Sequence, residues 1–474
     1  MSRNVIGFFL CMLFCLLSAG AAWADGAVYA MTNALENNEI LVFHRAPSGG
    51  LDHAQTIATG GGGSGLQLAG VDSLGSSGSL QLDEDHRFLF AVNTESAAEN
   101  NGAGAYNTDC QQGTITSFHI AADGTLTFAD RVFSGGLFPN SLAVSTRRHG
   151  HGDNGGHDAD DRDHDHDDTG VVVYVLNAGG PEAPPVCRVT PGTANTPNIT
   201  GFRVDAAGHL IPLDETQPID PGPATGPAGG VSCTAAAAAG FAALTGAPAA
   251  DFQCGLNPPS FPRSPASVRF APGGALLVVT VKGTNAIYVF PVDRNGKAGT
   301  PTVTQFPGPA LPTPFGFTFD RQGHLLVTEL FGSATSIPAG AAGAVSSFAI
   351  VSNGHLQPIS SHVADGGTAA CWIALEPLTG QFAYVSNNLS ASISLYKVTT
   401  SGLTLVNGVA ATAAGPNDLA TAHEGPGASF LYVVAAGTGT VQAYVINQLT
   451  GALAPTVGGS GLPANRSAQG LAAY

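Results

Sequence analysis

Positive charge, tryptophan and methionine are scarce in this sequence of 474 residues. Lysine and arginine together number 17 against 34 aspartates and glutamates, which gives a net charge of −17. We therefore expect no nucleic-acid partner, because phosphate binding needs a basic face. Charged residues make up only 11% of the chain, and the long Leu/Lys/Glu stretches typical of helices are missing. Glycine (63) and proline (31) are abundant instead, with short runs of Val, Thr, Ile and Phe between them. This pattern predicts an all-β protein.

Long apolar runs are also missing, apart from one at the N-terminus. Arg3 precedes an apolar segment at residues 5–17, and an Ala-Trp-Ala sequence of the cleavage type ends at Ala24. A membrane anchor is the alternative, but the run is shorter than the ~20 residues that a membrane span needs. The pattern predicts a signal peptide over residues 1–24 and a secreted or periplasmic mature protein. We expect no transmembrane segment in residues 25–474.

Few cysteines remain once the signal is removed: Cys110, Cys187, Cys233, Cys254 and Cys371. An exported chain permits disulfides. Cys233 and Cys254 flank one Ala-rich insertion and form a natural pair, and Cys110 with Cys187 is a second candidate pair. Cys371 is then left over, either as a buried inert thiol or with another partner. The sequence does not fix this connectivity.

A pattern of strands recurs along the chain with a period of roughly 45–60 residues. The first strand alternates apolar residues, as in PNSLAVS. The second is an apolar run that ends in a polar residue, as in RFLFAVN, and the third begins with Gly or Ser. Residues 467–474 (SAQGLAAY) match a first strand whose second strand is AVYAMTN, near the N-terminus. Counting this split repeat, seven repeats begin near Ala27, Ser77, Pro139, Ser264, Thr313, Ala370 and Pro416.

Each repeat is predicted to form a four-stranded blade that is apolar on both faces. One blade cannot bury these faces alone, so the repeats must pack against one another and close into a ring. A β-sandwich or a solenoid is the alternative, but neither would need the C-terminus to supply a first strand. The repeats therefore predict a seven-bladed β-propeller, closed by pairing of the N- and C-terminal strands, over residues 25–474.

The second strands also carry a recognisable motif. YVSN ends at Asn387, YVLN at Asn177 and FAVN at Asn93, and Gly-Thr-type third strands follow. These motifs resemble the YVTN-type seven-bladed propellers of the lactonase family, which includes 6-phosphogluconolactonases and carboxy-cis,cis-muconate cyclases. The resemblance covers essentially the whole mature chain and implies a small lactone or sugar-like ligand at the central channel. The motif residues specify strand packing, so they indicate the fold better than the activity.

Two insertions interrupt the repeats, at residues 147–168 and 217–263. The first is rich in His and Asp and nearly free of apolar residues, which predicts disorder. Its histidines are candidate ligands for Zn²⁺ or Ni²⁺, and plain solvation is the alternative: His149, His151, His157, His164 and His166. The second insertion carries Pro/Gly runs and Cys233 with Cys254.

Chemistry in a propeller is expected where the strands open into the channel mouth. Alignment of the second strands places Lys282 and Glu329 where most blades have Asn. Lactone opening needs an activated water and a donor for the developing oxyanion, so Glu329 is the candidate base and Lys282 the candidate donor. A structural ion pair between the two is the alternative. Candidate substrate-binding residues are Asn93, Glu95, Asn140, Asn177, Asn387, Asn417 and Gln469. Asn as a turn residue is the competing interpretation.

Two functions follow from these observations. The first is an exported lactone hydrolase that needs no cofactor. Few basic residues approach the mouth, so a neutral or carboxylated lactone fits better than a phosphorylated one. The second is a non-catalytic propeller that serves as a binding platform, with metal handling by the His/Asp insertion. Glu and Asn oxygens at the mouth could also hold Ca²⁺. We expect a monomer.

Overall fold

The computed structural model describes residues 26–65, 72, 74–95, 113–147, 168–179, 197–219, 265–282, 284–305, 312–330, 342–465 and 467–474. These residues form seven antiparallel sheets of four strands each. The prediction of an all-β, seven-bladed propeller is therefore confirmed. Among the described residues, no helix is long and apolar enough to cross a membrane.

The strands follow one another around the ring. The first fourteen are β1 (Gly26–Met31), β2 (Glu39–Arg45), β3 (Leu51–Ala58), β4 (Leu80–Leu82), β5 (Phe88–Asn93), β6 (Thr114–Ile120), β7 (Leu126–Phe133), β8 (Pro139–Thr146), β9 (Asp168–Asn177), β10 (Asn198–Asp205), β11 (Leu210–Pro218), β12 (Pro265–Phe270), β13 (Leu276–Val281) and β14 (Ala286–Pro291). The others are β15 (Thr302–Gln305), β16 (Pro314–Phe319), β17 (Leu325–Glu329), β18 (Ala342–Ile350), β19 (Leu356–Thr368), β20 (Ala370–Leu375), β21 (Phe382–Asn387), β22 (Ser392–Thr399), β23 (Gly402–Thr412), β24 (Pro416–Glu424), β25 (Ala428–Ala435), β26 (Thr440–Ile446), β27 (Leu453–Ser460) and β28 (Leu471–Ala473). A 3-10 turn at Ser352–Gly354 precedes β19.

Blade 1 is assembled from both ends of the chain. Its order is β28-β1-β2-β3, and Ala472 of β28 lies opposite Tyr29 of β1. The buried Arg45 reinforces this closure. Its guanidinium donates to the carbonyl of Tyr474 at 2.9 Å and pairs with Glu424 of blade 7 at 3.0 Å. The predicted closure by the terminal strands is confirmed.

The inner strands are apolar on both faces because they are packed between neighbouring blades. All six residues of β1 and of β5 are buried, whereas the outer strands β3 and β7 are largely exposed. The loss of alternation in the inner strands thus follows from burial on both faces.

The tyrosines of the second strands join one blade to the next. Each donates its hydroxyl to a glycine carbonyl in the turn between the third and fourth strands of the following blade. The bonds are Tyr29 to Gly124 (2.8 Å), Tyr174 to Gly296 (2.8 Å), Tyr384 to Gly451 (2.8 Å) and Tyr432 to Gly49 (3.1 Å). These four glycines have positive φ angles of 73–85°, which residues with a side chain adopt rarely. The tyrosine of the YVxN motif is therefore an architectural residue.

The two predicted insertions fall between described strands. The first separates β8 from β9 within blade 3, and the second joins blade 3 to blade 4 after Ile219. Residues 148–167 and 220–264 lie outside the described residues. So do the predicted signal peptide, the five candidate metal-binding histidines, and Cys110, Cys187, Cys233 and Cys254.

Candidate functional site

The asparagines that end the second strands hold their own blades together. Asn93 donates to Thr114 and Thr116 of β6 at 3.2 and 3.1 Å, and Asn387 donates to Ser394 of β22 at 2.7 Å. Asn177 donates to Asn198 of β10 at 2.9 Å and accepts from Ser134 at 2.7 Å. All three side chains are fully buried, and none of these asparagines has a positive φ angle. They are strand residues with structural hydrogen bonds, not turn residues.

The strand register shows that Lys282 is not equivalent to the asparagines that end the other second strands. The final pair between second and third strands contains Asn93, Asn177, Glu329 and Asn387 in their blades, but Val281 in blade 4. The alignment that placed Lys282 with the asparagines is therefore wrong by one residue. Because side chains alternate along a strand, a one-residue offset turns Lys282 to the other side.

At the channel mouth, polar side chains of blades 1, 3 and 7 bond the blade or segment that follows. Asn140 donates to the carbonyl of Pro265 at 3.0 Å, and Asn417 donates to that of Ala468 at 3.3 Å. Gln469 donates to the carbonyl of Ser76 at 2.7 Å. The first strand carries a bulge next to this position in blades 3 to 7. A bulge re-aims a side chain, which here allows it to reach the neighbouring blade.

The segment between blades 1 and 2 crosses this end of the channel. Ser77 donates its backbone N–H to the carbonyl of Ala266 in blade 4 at 3.0 Å, and Ser76 donates its hydroxyl to the carbonyl of Asn140 in blade 3 at 2.6 Å. The segment thereby contacts first strands beyond its own blade.

Lys282 lies under this segment with a partner that the sequence analysis missed. Its ammonium donates to the carbonyl of Gly75 and lies 5.2 Å from the centre of the Phe315 ring. The buried Asp72 accepts backbone N–H bonds from Leu74 and Gly75 at 3.2 and 2.7 Å. Burial raises the pKa of Asp72 and lowers that of Lys282, while the attraction between the two charges opposes both shifts.

Glu329 has different partners, inside blade 5. Its carboxylate is fully buried, accepts from the Ser346 hydroxyl at 2.5 Å and lies 2.6 Å from Nδ1 of His362. Ser346 also accepts the backbone N–H of His362 at 2.9 Å. The structure therefore assigns Lys282 and Glu329 to separate clusters, not to one ion pair.

His362 is the most chemically distinctive residue that the sequence analysis missed. Its side chain is 35% exposed, and no described residue bonds its Nε2. Its φ angle is +51°, an uncommon value for a residue with a side chain, and strand pairing is irregular around it. The hydrogen bond to Glu329 raises the pKa of the imidazole above its ordinary value, although partial burial opposes this. The arrangement is an imidazole oriented by a buried carboxylate, with its second nitrogen accessible.

Two other His–carboxylate pairs are turn features. His324 Nδ1 lies 2.8 Å from Asp320, and His209 Nδ1 lies 2.9 Å from Asp205. In each case the partners are four residues apart, and the aspartate also accepts the backbone N–H of the same histidine. Glu329 and His362 are 33 residues apart, so tertiary structure brings them together.

The remaining candidates have structural surroundings. Glu95 has a positive φ angle of 51°, accepts from Thr114 at 2.8 Å and from the backbone of Gly62 at 3.1 Å, and lies 3.6 Å from Arg131. It joins blades 1 and 2 at the rim. Cys371 is buried with a free thiol, and burial raises the pKa of that thiol well above its ordinary value. The described residues contain no group of three or more His, Cys, Asp or Glu side chains that could hold a metal ion.

The fold is that of a seven-bladed propeller, and comparison with known proteins shows which family of propellers the chain resembles. Residues 264–465 match the family model described as "Lactonase, 7-bladed beta-propeller", which confirms the resemblance to that family. Comparison with curated proteins gives no match.

Solved structures of the same fold cover nearly the whole chain. The Pseudomonas aeruginosa periplasmic gluconolactonase PpgL is 16% identical, with a TM-score of 0.57 over 94% of this chain and 98% of its own. A protein from Lactobacillus plantarum is 15% identical, with a TM-score of 0.56 over 95% of this chain and 99% of its own. At these identities the likeness extends to the fold alone.

Proposed function

We propose that the protein is an exported lactone hydrolase in which His362 activates water and Glu329 orients His362. The observation that carries the proposal is the bond between the buried Glu329 carboxylate and Nδ1 of His362, which leaves Nε2 accessible. A carboxylate on one imidazole nitrogen fixes the tautomer and stabilises the imidazolium that forms when the other nitrogen takes a proton. The match to the lactonase family supports a lactone as the substrate class.

The reaction needs only water and the lactone. Nε2 of His362 takes a proton from a water molecule while the water oxygen attacks the lactone carbonyl, which forms a carbon–oxygen bond. The ring carbon–oxygen bond then breaks, and the leaving alkoxide takes the proton back from His362. The product is an open-chain hydroxy acid. Glu329 takes no part in these proton transfers and holds the imidazole through Nδ1.

This proposal changes the role expected for Glu329. The Glu329 carboxylate is fully buried, and its two oxygens already bond Ser346 and His362, so it is poorly placed to take a proton from water. His362, whose ordinary pKa lies near neutrality, is the better base. Lys282 belongs to the buried cluster with Asp72 and is not assigned a step.

The substrate is proposed to be a neutral or carboxylated lactone. Lys282 is buried near Asp72 and the Phe315 ring, so this basic residue does not offer its charge to a phosphate. Export is supported by the N-terminal sequence, and one structural neighbour is named as a periplasmic gluconolactonase. Fractionation of cells that express the full chain tests export: we expect the mature form, beginning near Asp25, outside the cytoplasm.

A panel of purified lactones, followed by acid release at constant pH, tests the activity. The panel holds a neutral sugar lactone, an aliphatic lactone, a carboxylated lactone and a phosphorylated sugar lactone. We expect turnover of at least one of the first three and a loss of about 100-fold or more in His362→Gln. The matched control is His324→Gln, which removes a histidine of the same blade with the same type of carboxylate bond. No turnover by the wild type, or equal losses in the two variants, would contradict the proposal.

A further inference from the structure

The central channel holds a cavity of about 350 Å³, separate from the Glu329–His362 pair. First strands of most blades line it. At one end it reaches Ser77 and Gly78, in the segment that crosses the channel. At the other end it reaches the turn at Glu84 and His86, both of which are exposed at the protein surface. A small molecule could therefore enter from the face opposite the crossing segment.

Strand register identifies one layer of residues around this cavity. Each blade contributes the first-strand residue that pairs with the second-strand tyrosine (Tyr29, Tyr174, Tyr384 or Tyr432) or with its equivalent in the other blades (Phe90, Val278 or Leu326). These residues are Gln81, Ala143, Arg269, Thr318, Ala374, Ala420 and Ala472. Four of the seven are alanines, so the layer leaves space, and the other three carry hydrogen-bonding groups. Gln81, Arg269 and Thr318 all line the cavity.

None of these three polar side chains has a hydrogen-bond partner among the described residues. This matters most for Arg269, because a guanidinium carries five N–H donors and stays charged. Arg269 is half-buried at the cavity wall, and taking even part of such a group out of water without acceptors is costly. Arginine in a protein interior therefore normally has a carboxylate, a carbonyl or a bound anion against it.

The nearest opposite charge is Asp418, and its oxygens are already engaged. One accepts the backbone N–H of Leu419 at 2.8 Å, and the other accepts that of Leu471 at 3.1 Å. Burial raises the pKa of Asp418 to about 7, and the attraction of Arg269 opposes this shift. Both oxygens of Asp418 thus accept backbone hydrogen bonds, and neither bonds the Arg269 guanidinium among the described residues.

We propose that this cavity binds a small carboxylate anion, which accepts hydrogen bonds from Arg269 while its other polar groups contact Gln81 and Thr318. A carboxylate matches the planar guanidinium and can take two parallel N–H bonds. A monoanion fits better than a dianion such as phosphate, because the cavity offers one cation and Asp418 lies beside it.

Isothermal titration calorimetry in low-chloride buffer tests the proposal with acetate, gluconate and inorganic phosphate as probes. We expect acetate or gluconate to bind and phosphate to bind more weakly. Arg269→Gln should weaken carboxylate binding about 10- to 100-fold, as expected for loss of hydrogen bonds to a charged group. The matched control Arg294→Gln removes the same charge from an exposed position and should leave binding unchanged.

A second variant separates loss of binding from loss of folding. Ala420→Leu fills the same layer and leaves Arg269 in place, so it should also abolish carboxylate binding. Circular dichroism confirms that each variant keeps its β structure. Absence of carboxylate binding by the wild type, unchanged binding in a folded Arg269→Gln or Ala420→Leu, or tighter binding of phosphate than of both carboxylates would overturn the proposal.

Discussion

Replacing Asp365 by asparagine is expected to stabilise the protein at neutral and alkaline pH. The Asp365 side chain is fully buried in β19. Its Oδ1 accepts the backbone N–H of Gly367 at 2.8 Å, and no described residue bonds Oδ2. Burial raises the pKa of this carboxyl from 3.8 to about 6. Asparagine keeps an acceptor for Gly367 and carries no charge at any pH.

The sign and size of the effect follow from proton linkage. A carboxyl with a higher pKa in the folded state binds more protons when folded, so its contribution to stability falls as the pH rises from about 4 through about 6. A shift of about 2 units corresponds to about 3 kcal/mol at pH 8. We therefore expect the free energy of unfolding of Asp365→Asn, relative to the wild type, to increase by about 2–3 kcal/mol between pH 4 and pH 8.

Urea unfolding at pH 4, 6 and 8 measures this difference. Trp372 is buried and is the only tryptophan beyond residue 24, so its fluorescence reports unfolding of the mature protein. The difference between variant and wild type at each pH cancels the other titrating groups. Asp123→Asn is a control of opposite sign, since hydrogen bonds from Thr125 lower the pKa of Asp123. A difference for Asp365→Asn that is constant or decreases with pH would refute the reasoning.

Two further predictions concern ring closure and the free thiol. Arg45→Gln should lower the free energy of unfolding by about 2–4 kcal/mol, because it leaves the carbonyl of Tyr474 and the carboxylate of Glu424 without their donor. Urea unfolding measures this change. If Arg45→Gln destabilises the protein no more than the half-exposed Arg131→Gln does, the proposed role of Arg45 in ring closure is contradicted. Cys371 should resist iodoacetamide in the folded protein and react in denaturant, because its thiol is buried with a raised pKa. Peptide mass spectrometry measures this, and labelling of the folded protein would contradict it.

The sequence predicted the ring because the information for each blade is local. The apolar second strands, such as FLFAVN, are buried on every residue, and their spacing defines the repeats. Closure of the ring could also be predicted from the sequence, since β28 completes the repeat that begins at β1. The residues that these strands share from blade to blade thus serve packing. Tyr174 and Asn177 are examples, each in structural hydrogen bonds.

The candidate site was less predictable because its members come from parts of the chain without a repeat signature. His362 lies in an outer strand, and only an irregular strand pairing brings it to Glu329. Lys282 lies one residue beyond the last pair of the second and third strands in blade 4, an offset that sequence alternation does not reveal. The open space around Arg269 depends on alanines from other blades. Such features arise from tertiary structure.

The pH dependence of lactone hydrolysis tests the central claim most directly. His362 must be neutral to act as a base, so kcat/KM should rise with pH through an inflection above the ordinary histidine pKa of about 6.5, since Glu329 raises the pKa of this imidazole. In Glu329→Gln the inflection should move to lower pH and the plateau should fall. An inflection that stays at the same pH in Glu329→Gln would contradict the assignment of His362 and Glu329.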